Sequence, residues 1–155
     1  MPRRIALIIT ALVAAFLLPP AAEASPWIGV WIEYRPSETC VATPDGSPGA
    51  LITHDPCVDI GNQIWNFEDV AKFTVRIRSS MGTGMCLAAT SPTAGTQVLQ
   101  APCGGGSSDV WTLTGSGNTF RISNTNGGGC LARTGGSAVV LGSCMPAFAE
   151  WQLLF

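Results

Sequence analysis

Six cysteines and one histidine, His54, are the side chains of this chain best suited to covalent or metal chemistry. Zinc sites usually combine Cys-x-x-Cys pairs with further cysteines or histidines. No such pair occurs here, so we predict no metal site and no cofactor. Cysteines without a metal are typical of a disulfide framework in an oxidising compartment, although composition alone leaves the pairing open.

A polar cluster between residues 54 and 63 offers the chemistry of ligand recognition, since it contains His54, Asp55, Asp59, Asn62 and Gln63. Carboxylates and amides make directional hydrogen bonds that orient a polar ligand such as a sugar. We therefore predict that His54, Asp55, Asn62 and Gln63 bind a ligand. The alternative is a solvated loop in which the two amides hydrogen-bond nearby backbone.

Patterns that would indicate catalysis are weak. A Ser-His-Asp arrangement would have to use His54, and a neighbouring Asp55 says nothing about the orientation that catalysis needs. Glu68 and Asp69 are adjacent carboxylates with no assigned geometry, whereas the two acids of a glycoside hydrolase flank the bond they cleave. We predict that the protein is not an enzyme.

An internal repeat organises the chain. Three Cys-x-Ala tripeptides begin 46 and 44 residues apart, a second cysteine follows each after 17, 17 and 14 residues, and a tryptophan follows after 8, 8 and 7 more. Because equivalent positions of a repeat should form equivalent bonds, we predict one disulfide per repeat and a core role for each tryptophan. The pairs are Cys40–Cys57, Cys86–Cys103 and Cys130–Cys144, and the tryptophans are Trp65, Trp111 and Trp151.

The repeat and the composition together predict an all-β fold. The chain contains 18 glycines and 11 prolines, and such a density of turn formers suits many short strands better than long helices. Each unit is long enough for about four short strands and cannot cover its own apolar face, so three units must share a core. A propeller needs at least about four blades, so three units predict a β-trefoil in which each repeat holds its own disulfide.

The first 24 residues have the pattern of a secretory signal peptide. Two arginines precede the uncharged apolar segment 5–18, and an Ala-Glu-Ala sequence at 22–24 offers a cleavage site. Segment 5–18 is shorter than the roughly 20 residues that span a bilayer, so we predict secretion without membrane insertion and a mature domain, 25–155, that is extracellular or periplasmic.

Charge excludes one class of partner. Without Arg3, Arg4 and Glu23, the eight basic and ten acidic residues of the chain become six and nine. A nucleic-acid-binding protein needs a basic face to neutralise phosphates, so we predict no nucleic-acid partner.

The mature N-terminus, residues 25–32, is apolar at nearly every position, whereas a half-buried strand would alternate. We expect a strand that is buried on both sides and closes the barrel. The alternative is that part of this segment, with Trp27 the best candidate, is exposed and marks a surface for a partner.

Three sequence features resemble the ricin-type β-trefoil, or ricin B-type lectin domain: the recurring Cys-Val or Cys-Leu pair, the run 95–98 before Cys103, and the closing Gln63-Ile64-Trp65. The resemblance extends over nearly the whole mature chain. In that family, sugar is usually held by an aspartate two residues after the first cysteine and an aromatic residue two before the second. Here the former position holds Ala42, Ala88 and Ala132, and the latter holds Asp55, Ala101 and Gly142.

The resemblance implies a secreted, non-catalytic recognition module with a glycan as its ligand class, although the usual sugar-site residues are largely lost. The first repeat keeps the most polar chemistry. The alternative is a protein-interaction or toxin-targeting subunit that no longer binds sugar, similar to the ricin-like non-catalytic subunits of cytolethal distending toxins. A structural or inhibitor-like trefoil is a third reading.

Overall fold

The computed structural model describes residues 27–155, and the predicted signal peptide, residues 1–24, lies outside them. Twelve strands are joined by loops, three short 3-10 turns and a single-turn helix, α1 (Pro146–Ala149). No helix in this range is long and apolar enough to cross a membrane. The strands are β1 (Trp27–Tyr34), β2 (Thr39–Ala42), β3 (Thr53–Pro56), β4 (Trp65–Ala71), β5 (Thr74–Ser79), β6 (Met85–Ala88), β7 (Leu99–Pro102), β8 (Val110–Ser116), β9 (Thr119–Asn124), β10 (Cys130–Arg133), β11 (Val139–Gly142) and β12 (Trp151–Leu154).

Six strands form a closed antiparallel barrel. β1, β4, β5, β8, β9 and β12 pair in that order, and β12 pairs back onto β1. The other six form three hairpins, β2–β3, β6–β7 and β10–β11, which are bridged to one another. Each repeat therefore contributes two barrel strands and one hairpin, and the predicted β-trefoil is confirmed.

The three hairpins meet on the pseudo-threefold axis through a ring of backbone hydrogen bonds. The N–H of Ile52 donates to the carbonyl of Val98 over 2.9 Å, that of Val98 to Val139 over 3.0 Å, and that of Val139 back to Ile52 over 3.1 Å. All three side chains are fully buried. Backbone polar groups at the centre of an apolar core need such partners, and the ring provides them without any side chain.

Each repeat contains one disulfide and one buried tryptophan in equivalent places. The three predicted disulfides are present, with Cα–Cα distances of 4.9 to 5.1 Å, and no free cysteine remains among residues 27–155. The three tryptophans are fully buried. Their indole N–H groups donate over 2.8 to 2.9 Å to the carbonyl that follows the first cysteine, from Trp65 to Val41, from Trp111 to Leu87 and from Trp151 to Leu131.

The N-terminal strand closes the barrel, but the expectation that it is buried on both sides is wrong. Its burial alternates from Val30 onward, because successive strand residues point inward and outward, and residues 27–155 leave the outward positions of this strand only partly covered. Trp31 and Glu33 lie on the outward side and are half-buried. Trp27 is 38% exposed and Ile28 is 69% exposed, as the alternative interpretation expects.

Candidate functional site

Gln63, one of the predicted ligand-binding residues, is buried and holds the loop that precedes it. Its Nε2 donates to the carbonyl of Pro56 over 2.9 Å, and its Oε1 accepts from the N–H of Val58 over 2.8 Å. Both ends of the amide are therefore engaged with backbone. This fixes the loop around Cys57 and gives Gln63 a positioning role.

Asn62 is partly engaged in the same way. Its Nδ2 donates over 3.0 Å to the carbonyl of Thr43, whose own N–H donates over 3.0 Å to the carbonyl of Asn62. The Oδ1 atom is buried and has no hydrogen-bond partner within residues 27–155. Of the two amides, Asn62 is the one that retains an unused acceptor.

His54 and Asp55 are consecutive residues of β3, and a strand directs consecutive side chains to opposite faces. His54 is buried, with Nδ1 3.2 Å from the hydroxyl of Thr39. Asp55 is exposed, and its Oδ2 accepts from the hydroxyl of Thr53 over 2.7 Å. The structure therefore does not bring the imidazole and this carboxylate together, as a catalytic pair would require.

The position of Gln63 is filled differently in the other repeats. Asp109, also two residues before its tryptophan, is fully buried and accepts from the N–H of Gly104 over 2.5 Å and from Arg76 Nε over 3.2 Å. In the third repeat Ala149 ends α1, and its N–H donates to the carbonyl of Met145 over 3.1 Å. A side-chain amide, a carboxylate and a helical turn thus close equivalent loops. The common spacing before each tryptophan was the sequence signal for this role.

The alanines two residues after the first cysteine of each repeat, Ala42, Ala88 and Ala132, are all buried. Within the range 27–155, no group of three or more histidine, cysteine, aspartate or glutamate side chains is arranged to hold a metal ion.

Sequence reasoning missed a cavity of about 270 Å³ on the outside of the barrel. Trp31 and Glu33 of β1 form one wall, Val58 and Asp59 form another, and Leu154 of β12 and the Cys40–Cys57 disulfide complete it. These residues come from segments far apart in sequence, so no local motif could reveal them. The available signal was the i, i+2 spacing of Trp31 and Glu33, which puts both on one face of a strand.

A second cavity, of about 230 Å³, lies among aromatic side chains. It is lined by Trp27, Phe67, Asp69, Phe73, Val75, Leu113 and Phe120. The Trp27 ring lies 5.8 Å from Phe67, 5.9 Å from Phe120 and 5.8 Å from Phe155, measured between ring centroids. Phe73 is 66% exposed, so these residues present an apolar surface to solvent.

Charged side chains near the barrel wall of the second repeat are paired. Arg78 donates through Nε and Nη2 to the carboxylate of Glu68, with 3.0 Å between Nη2 and Oε2, and this hydrogen bonding raises the pKa of Arg78. Arg76 is paired with Asp109. In the first repeat, hydrogen bonds from the hydroxyl and N–H of Ser47 lower the pKa of Asp45.

Comparison with solved structures places the fold among β-trefoils. A designed threefold symmetric protein, ThreeFoil, superimposes with a TM-score of 0.75 and 19% identity, covering 82% of this chain and 99% of its own. A Polyporus squamosus lectin was solved bound to the human-type influenza-binding epitope Neu5Aca2-6Galb1-4GlcNAc. It superimposes with a TM-score of 0.66 and 19% identity over 82% of this chain, and this chain spans only 49% of that lectin. A structure of the cytolethal distending toxin of Actinobacillus actinomycetemcomitans superimposes with a TM-score of 0.66 and 14% identity, covering 81% of this chain and 90% of its own.

At such identities these likenesses show the fold alone, and a comparison with curated proteins finds no match. A family model extends the relationship to the sequence. The model of the ricin-type beta-trefoil lectin domain matches residues 30–152, which include all three repeats. The chain therefore belongs to the ricin-type β-trefoil lectin domain family.

Proposed function

We propose that this protein is a secreted, non-catalytic carbohydrate-recognition module. The observation that carries the proposal is the family match across residues 30–152, since ricin-type domains are carbohydrate-binding modules. The signal-peptide pattern of residues 1–24 supports secretion, and three disulfides suit an oxidising compartment.

Binding is assigned to the first repeat. Asp55 presents an exposed carboxylate that can accept hydrogen bonds from sugar hydroxyls. The Oδ1 of Asn62 has no hydrogen-bond partner among residues 27–155 but is buried, so it accepts from a sugar hydroxyl only when a side-chain movement exposes it. Gln63 and His54 contribute by holding the loop and the hairpin that carry these groups. The corresponding positions of the second repeat, Ala101 and Ser108, supply less polar chemistry.

A glycan array probed with protein 25–155 tests the proposal, followed by NMR titration with the sugars that bind. We expect weak binding, with a dissociation constant in the millimolar range, about −4 kcal/mol. Asp55→Ala and Asn62→Ala should weaken it, whereas Ser108→Ala, the equivalent of the Asn62 change in the second repeat, should not. Shifts confined to the second and third repeats would contradict the assignment to the first.

A protein-interaction or toxin-targeting subunit is the second candidate, and the apolar surface around Trp27 and Phe73 favours it. Exposed apolar patches often mark protein interfaces, and the similarity to a cytolethal distending toxin gives a precedent for this fold in a toxin assembly. No binding across the array, together with recovery of a partner that Phe73→Ser no longer recovers, would favour this function instead.

A further inference from the structure

The outward-facing cavity of the first repeat combines an aromatic ring with two carboxylates. Trp31 and Glu33 lie on one face of β1, and Asp59 follows the disulfide-bonded Cys57 in the opposing loop. An indole ring offers an apolar face against the C–H side of a pyranose, while carboxylates accept hydrogen bonds from its hydroxyls. The cavity therefore contains both kinds of group that sugar recognition needs.

The two carboxylates of this cavity are free of ion pairs within the described part of the chain. The two ion pairs formed by residues 27–155 use Glu68 and Asp109, not Glu33 or Asp59. A carboxylate that no cation neutralises keeps its capacity to accept hydrogen bonds from a ligand. It also repels an anion, which makes the cavity unfavourable for an acidic sugar.

Comparison of the repeats shows that this combination is confined to the first one. Strand register identifies the equivalent positions, because Glu33 pairs with Cys40, Arg78 with Cys86 and Ser123 with Cys130. Two residues earlier stand Trp31, Arg76 and Arg121, respectively. In the second repeat the two arginines at these positions, Arg76 and Arg78, are each paired with a carboxylate of the protein itself.

The loop that carries Asp59 is held in place from three directions. The disulfide joins Cys57 to Cys40, the N–H of Cys57 donates to the backbone carbonyl of Glu38 over 3.2 Å, and the Oε1 of Gln63 accepts from the N–H of Val58. Holding a ligand-binding group in place before binding lowers the entropy lost on association. The structural role of Gln63 thereby serves a ligand that Gln63 does not need to touch.

We infer that this cavity is a glycan subsite for one uncharged pyranose ring, in which Trp31 covers the apolar face and Glu33 and Asp59 accept hydroxyl hydrogen bonds. The inference rests on the proposed carbohydrate-recognition function and adds the subsite and the charge of the sugar. A volume of about 270 Å³ is slightly below the roughly 300–1,000 Å³ of typical ligand sites, which suits a single ring better than an oligosaccharide.

The test uses protein 25–155 and a panel of methyl glycosides that contains neutral hexoses, N-acetylhexosamines and a hexuronic acid, titrated by NMR with the Trp31 indole N–H as the probe. We expect a neutral glycoside to shift this resonance and the uronic acid to leave it unchanged. Glu33→Gln/Asp59→Asn should weaken binding at least tenfold. Glu38→Gln/Asp69→Asn is the matched control, because it makes the same charge change at exposed positions outside the cavity and should leave the affinity unchanged.

The outcomes separate this inference from the function on which it rests. If a glycan binds and Glu33→Gln/Asp59→Asn leaves its affinity unchanged, the subsite is wrong while carbohydrate recognition stands. If the matched control weakens glycan binding equally, the loss of affinity comes from the change in net charge, and the subsite is also wrong. If no glycan on the panel or on an array binds the parent protein, both the function and the subsite are refuted.

Discussion

Gln100 is a buried amide that tests what an unpartnered polar side chain costs in the core of this trefoil. It lies in β7 with no solvent exposure, and neither its Nε2 nor its Oε1 has a hydrogen-bond partner among residues 27–155. Its cross-strand partner is Leu87. The third repeat has Leu141 at this position, opposite Leu131, and Leu141 belongs to the hydrophobic core. The trefoil thus already accommodates a leucine at an equivalent site.

Gln100→Leu should stabilise the protein. An amide buried without a partner costs about 1–3 kcal/mol, and a hydrophobic exchange of similar volume in a packed core costs less than about 1.5 kcal/mol. The middle of the first range less the middle of the second predicts an increase of about 1 kcal/mol in the free energy of unfolding, which corresponds to roughly 4 °C in Tm for a domain of this size.

Guanidinium unfolding followed by tryptophan fluorescence measures this change, and calorimetry provides the Tm. Leu141→Gln is the reciprocal control, since it introduces an unpartnered amide at the equivalent site and should lower the free energy of unfolding by about 2–4 kcal/mol. A decrease in stability for Gln100→Leu, with an unchanged denaturant dependence, would refute the reasoning. It would mean that ordered water satisfies the amide, as buried polar groups often require.

Three further predictions concern the loops. Replacing Cys130 and Cys144 by alanine opens a closed loop spanning 14 residues and should cost about 3 kcal/mol, measured by chemical denaturation. Asp109→Ala leaves the N–H of Gly104 and the Arg76 guanidinium without their carboxylate and should lower the free energy of unfolding by about 2–3 kcal/mol. A decrease below about 0.5 kcal/mol would show that Asp109 does not stabilise this loop. The pKa of Asp45 is lowered, so its contribution to stability is present above the unfolded-state pKa near 3.8 and is lost as the pH falls through the folded-state pKa. NMR titration of its carboxyl carbon should give a midpoint below 3.8. Ser47→Ala removes the hydroxyl hydrogen bond and should raise that midpoint.

The scaffold was predictable from sequence because its determinants recur. Cysteines and tryptophans at matching intervals indicate equivalent bonds, and the three disulfides are those that the intervals predict. The apolar N-terminus was harder to interpret, because Trp31 lies in a nearly uniformly apolar segment and such a segment predicts a core position. The strand instead places it on the outer wall of the barrel, which only the register of β1 against β12 determines.

The candidate site was less predictable because it depends on contacts between distant segments. Clustering in sequence suggested that His54, Asp55, Asn62 and Gln63 act together. Strand alternation separates the first two, and backbone groups engage both ends of Gln63 and the Nδ2 of Asn62. The alternative that the amides hydrogen-bond backbone agrees with these contacts. Apart from its i, i+2 spacing to Trp31, Glu33 gave no local signal, because its other neighbours in space come from the loop after Cys57 and from β12.

The three repeats diverge where the fold permits it. The ring of Ile52, Val98 and Val139 must satisfy three equivalent backbone groups around an axis, so a large change at one position would disturb the other two. Outward positions have no such constraint, and there the repeats carry Trp31, Arg76 and Arg121. In the second repeat an internal carboxylate pairs with the arginine, whereas in the first the tryptophan lines a cavity whose two acids form no ion pair within residues 27–155. An outward side chain that no protein group compensates is one that a ligand can contact, and we therefore expect the ligand of this trefoil to bind at the first repeat.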